Sequence, residues 1–129
     1  MIVYSASIEN RGDSKHHAST GAFGFVMDTD GQGVSPVGAL LASLCACLGH
    51  YVRDFLTEQK VAYSSFAVAA KAEAAEDGPR LGEISVVIAL RGAELDAPRQ
   101  SALLTYVERC IIFNTLSANS RIVKTLELG

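Results

Sequence analysis

Cys45, Cys47 and Cys110 carry most of the nucleophilic chemistry open to this chain of 129 residues. Cys45 and Cys47 fall in a stretch that reads as helix. Two positions apart, their thiols leave the axis about 200° from each other, so they neither bridge nor share a metal ion easily. Each is weighed alone. Cys47 has His50 and Tyr51 one turn further on, on its own face. A histidine beside a thiol stabilises the thiolate, the form that attacks. His50 can equally be a hydrogen-bonded histidine at the end of an apolar half-helix. Cys110, in Glu108-Arg109-Cys110-Ile111-Ile112-Phe113-Asn114-Thr115-Leu116, closes a second helical stretch. By itself it is a small hydrophobe, as free cysteines commonly are.

Other chemistries find no footing. His16-His17 lies in a polar stretch with no third ligand at metal spacing, so no metal centre is expected. Gly31 and Gly33 precede a helix without the lysine of a phosphate loop, and no Gly-x-Ser-x-Gly elbow is present. No cofactor is expected. An odd cysteine count in a chain of this size argues against a disulfide scaffold.

The elements that must position these thiols follow from patterning. Residues 1–9 alternate as a strand, 11–21 read as a polar loop, and 22–28 as a second strand, which puts N-terminal strands within 1–30. Ser35-Pro36 is the clearest helix start: a good cap, then a proline whose missing N–H costs nothing there. A central helix is expected over 35–59. Its first half, from Val37 to Leu48, is apolar or small on every side, so it is expected to be buried all round, with a second subunit completing the cover. Residues 61–91 form a hairpin about Asp77-Gly78-Pro79, and Asp96 and Pro98 open a second helix over 96–111. Asn114 could cap a short further turn. A last strand is expected over 121–128. The class is α+β, one domain over 1–129.

With 49% hydrophobic and 19% charged residues the chain is no disordered tail. A formal charge of −3 with scattered Lys and Arg argues against nucleic acid. The start lacks the pattern of a signal peptide, and the apolar stretch from Val37 to Val52 falls short of the roughly 20 residues that span a bilayer. A cytoplasmic protein that engages no membrane is the expectation.

Two segments add a resemblance. Gly33-Val-Ser-Pro-Val-Gly-Ala-Leu-Leu-Ala-Ser-Leu-Cys-Ala-Cys-Leu-Gly-His50 resembles the helix signature of the OsmC/Ohr superfamily, and Cys110-Ile-Ile-Phe-Asn-Thr-Leu116 resembles its Cys-Pro-x-x-Asn-Thr-Leu segment. The resemblance implies an antiparallel sheet wrapped around a long buried central helix in an intertwined homodimer, with two sites at the interface. It implies reduction of organic hydroperoxides at the expense of a dithiol reductant, in defence against oxidative stress. By position, Cys47 resembles the peroxide-attacking cysteine and Cys110 its resolving partner. Arg11 is the best match to the family's N-terminal arginine, and Arg11 or His50 would supply the charge that activates Cys47. Cys45 stands where the family has a small residue. Val37 and Gly38 stand where it commonly has a glutamate, and Ile111 where it has a proline. Those departures open an alternative: a non-catalytic member that binds an apolar small molecule in the dimer groove.

Overall fold

The computed structural model describes residues 1–129. It contains two compact units, Met1–Ala42 and Ser43–Gly129; the boundary falls inside the long helix.

The first unit is an antiparallel meander of β1 (Ser7–Glu9), β2 (Lys15–Thr20) and β3 (Phe23–Asp28), in that order. The β1–β2 turn is organised by Asn10, whose Nδ2 donates to the carbonyls of Asp13 (2.8 Å) and Lys15 (3.1 Å) while its Oδ1 accepts from Gly12 N (2.7 Å). Thr20 pairs with Phe23 across a two-residue turn in which Gly21 takes φ +62°, the left-handed conformation such hairpins require. Residues 15–20, read as loop, are therefore strand, and His16 and His17 lie on it. The covered face of β2 carries His16 and buried Ala18 rather than large apolar residues, so its sequence shows no alternation and hid it. Buried Asp28 accepts from Asp30 N at 2.7 Å and pairs with Lys15 Nζ at 3.3 Å, closing the turn that leads into the helix. The Asp30 amide and Lys15 hold its carboxyl below the usual carboxylate range.

Helix α1 runs Pro36–Glu58. Ser35 Oγ accepts from Gly38 N at 2.9 Å, so the Ser-Pro start acts as read. At its other end Lys60 takes φ +55°, with Val61 N on Leu56 O (2.9 Å) and Lys60 N on Thr57 O (3.1 Å), the paired bonds of a Schellman stop. By length and composition alone α1 could cross a membrane, correcting the reading that the apolar stretch is too short. Its buried residues, however, form a stripe: Leu44, Leu48, Val52, Phe55 and Leu56. Burial all round does not hold within one chain, since Val37 and Leu40 are exposed.

In the second unit that stripe packs against the hairpin of β4 (Ser65–Ala74) and β5 (Leu81–Arg91), through Phe66, Val68, Ile84, Ile88 and Leu90. Leu103 and Val107 complete the core from α2 (Ala97–Tyr106) and the 3-10 turn Val107–Arg109. The expected helix over 96–111 does not continue through its end. It breaks at Cys110, φ −60° and ψ 123°, and α3 (Ile111–Ser117) starts afresh. The expected strand over 121–128 is absent, and Ile122, Val123, Leu126 and Leu128 are exposed. Alternation makes a strand only where another strand supplies its hydrogen bonds, and this segment has none in the chain.

Candidate active site

The second unit brings Cys47 and Cys110 together. Cys47 is half-buried on α1, in the turn bounded by the core residues Leu44 and Leu48, and it packs against the cluster that contains Cys110. Cys110 has no exposed surface. Its Sγ accepts from Phe113 N at 3.2 Å, which makes the thiol the N-cap of α3. Burial pushes the Cys110 thiol up, and direct thiol-to-thiol interaction with Cys47 pushes it further; the Phe113 and Ile112 amides oppose this more weakly. A buried thiol beside another sulfur keeps its proton because its anion would lose water and face a second developing charge.

Asn114, read as a cap for a further turn, lies inside α3 and reaches backward. Its Nδ2 donates to the carbonyls of Glu108 (2.8 Å) and Cys110 (2.9 Å), holding the break from both sides. Thr115 Oγ1 donates to Ile111 O at 2.7 Å.

His50 is exposed, and its ring meets Tyr51 edge-on at 4.9 Å. Arg11, in the first unit, sits in the turn after β1, with its guanidinium 3.7 Å from Glu9. Cys45 is a half-buried free thiol. No group of three or more metal-ligating side chains is assembled.

Sequence reasoning missed a polar pair two turns along α1 from Cys47. Tyr106 Oη donates to Asp54 Oδ2 at 3.1 Å, joining α2 to α1. The Arg109 guanidinium lies 4.0 Å above the Tyr106 ring, and Phe55 meets that ring at 5.5 Å between centroids. A separation of 52 positions between the partners leaves no local signal. Two apolar cavities flank Phe113: one of about 250 Å³ bounded by Leu44, Ile84, Val86 and Leu116, the other of about 270 Å³ bounded by Leu48, Ile88, Leu104 and Val107. Neither sulfur lines them.

The family model for OsmC-like protein matches residues 29–125. An OsmC-like protein from Mycoplasma pneumoniae superposes with TM-score 0.79 at 20% identity, covering 90% of this chain and 88% of that one. An organic hydroperoxide resistance protein OsmC from Legionella pneumophila gives TM-score 0.67 at 18% identity, covering 92% of each. An organic hydroperoxide resistance protein from Elizabethkingia anophelis gives 0.65 at 17% identity, covering 92% of this chain and 91% of that one. Comparison with curated proteins gives no match.

Proposed function

Because the chain belongs to the OsmC-like protein family, we propose that it is a thiol-dependent peroxidase that reduces organic hydroperoxides through Cys47 and Cys110. The observation that carries the proposal is the packing of half-buried Cys47 against the buried cluster that holds Cys110, whose thiol is pushed up by burial and by Cys47. Structural neighbours named for hydroperoxide resistance support it.

The roles follow from burial. Cys47 supplies the thiolate, which attacks the terminal peroxide oxygen. The O–O bond breaks, the alkoxide takes a proton and leaves as the alcohol, and the sulfur becomes a sulfenic acid. The Cys110 sulfur then attacks the Cys47 sulfur. The S–S bond forms, the S–O bond breaks, and hydroxide leaves as water with the Cys110 proton. A dithiol reductant restores both thiols in two exchanges, ending as its own disulfide. Arg11 takes the place of the family's arginine and His50 supports Cys47. The enzyme works in the cytoplasm, without nucleic acid or membrane.

The protein acts as a homodimer. Val37 and Leu40 on α1 are exposed in one chain, as are Ile2, Val3 and Tyr4 at one end and Ile122, Leu126 and Leu128 at the other. So much uncovered apolar surface is the mark of an interface.

Cumene hydroperoxide consumption with a dithiol as electron donor tests the reading. Cys47→Ser is expected to bring the rate to background while Cys45→Ser leaves it near wild type. Equal losses in the two variants would reject the assignment. The alternative, a non-catalytic protein that holds an apolar small molecule in the dimer groove, draws on the apolar cavities beside Phe113, which neither sulfur lines. It predicts thiols that stay free after mild peroxide treatment.

A further inference from the structure

Closing a disulfide demands tight geometry: S–S near 2.05 Å, with the two Cα atoms roughly 4.4–6.8 Å apart. Cys47 rides on a long helix, but Cys110 sits in the break between a 3-10 turn and a short helix. The bonds from Phe113 N and Asn114 Nδ2 tie Cys110 to its own segment, not to α1. Apolar packing holds that segment against α1, and the Tyr106–Asp54 bond adds a directional tie that fixes its register.

Its placement suits the task. Asp54 follows Cys47 by seven residues, two turns along nearly the same face and about 10 Å further down the axis. Tyr106 precedes Cys110 by four residues. The two segments therefore meet at the phenol–carboxylate bond and at the cluster where Cys47 packs with Cys110. Between them Tyr51 lies edge-on to Tyr106 at 6.2 Å. Arg109, stacked on the outer side of the same ring, holds its orientation. Burial and the Asp54 carboxylate push the Tyr106 phenol up, so it remains a donor throughout the neutral range.

We propose that Asp54 and Tyr106 are positioning residues for disulfide closure, holding the Cys110 segment at the register on α1 where its sulfur meets that of Cys47. The proposal rests on the peroxidase reading for its place in the cycle. It acts on the second step alone, in which the Cys47–Cys110 bond forms and water leaves.

Three quantities test it in the full-length protein: sulfenic acid formation on Cys47 with cumene hydroperoxide, disulfide closure after it, and the dithiol–disulfide equilibrium in a dithiothreitol buffer without peroxide. Tyr106→Phe is expected to leave the first unchanged. It should slow closure, and shift the equilibrium toward the dithiol, by about three- to tenfold each, the worth of one hydrogen bond. Asp54→Leu should reproduce this, whereas Asp54→Asn keeps an acceptor oxygen and should stay within about twofold of wild type. Closure and equilibrium both at wild-type values in Tyr106→Phe would overturn the proposal. So would an equal slowing of attack and closure, which marks general loosening. If the wild type forms no sulfenic acid, the peroxidase reading fails by itself. The dithiothreitol equilibrium then still decides the positioning role, upheld by the shift and overturned by its absence.

Discussion

Cys110 is a thiol that burial holds protonated, and its titration leaves a mark on stability. The folded protein keeps a proton that the unfolded chain gives up near about pH 8.5. The stabilisation is therefore complete below that pH and is lost as pH rises through the higher folded value. Urea midpoints followed from about pH 7 to about pH 10 should fall with pH in the wild type and fall less steeply in Cys110→Ala. An identical slope in both would place the alkaline loss elsewhere, Tyr106 being the other group pushed up by burial. At this scale the reading of Cys47 and Cys110 needed both motifs, because a lone cysteine at either place reads as packing. Asp54 and Tyr106 carry no such signal. An aspartate and a tyrosine 52 residues apart are a pair only once α1 and α2 have met.

At the scale of elements, local chemistry was legible wherever it decided the outcome. Ser35-Pro36 started α1 and Asp77-Gly78-Pro79 turned the hairpin, since caps and turns depend on the few residues that make them. The break at Cys110 was not, because Leu103, Leu104, Val107 and Ile111 keep helical spacing across it. The break is made instead by a thiol that caps α3 and an asparagine that reaches back. Strand β2 was missed for want of alternation, and the strand over 121–128 was expected on alternation without a partner in the chain. The two ends of α1 give a paired prediction. Ser35→Ala should cost about 1 kcal/mol, through loss of the bond to Gly38 N. Lys60→Gly should add roughly 0.5–1 kcal/mol, because a side chain at φ +55° is strained where glycine is not. Denaturant unfolding measures both, and a destabilised Lys60→Gly would contradict the Schellman account.

For the whole molecule, the uncovered apolar surface makes assembly a testable consequence. Sedimentation should give about twice the chain mass of 13.6 kDa. A charge at an exposed apolar position of α1, as in Leu40→Asp, should shift it toward one chain and lower peroxide turnover with it. A wild type that sediments as a monomer would contradict the dimer. The central claim, that Cys47 and Cys110 form one redox pair, is tested most directly by peptide mapping after one equivalent of cumene hydroperoxide per chain, with free thiols blocked before digestion. The expected result is a Cys47–Cys110 disulfide, Cys45 blocked as a free thiol, and an intact mass lower by two hydrogens before blocking. Recovery of Cys47 and Cys110 as blocked thiols, or of either joined to Cys45, would contradict it.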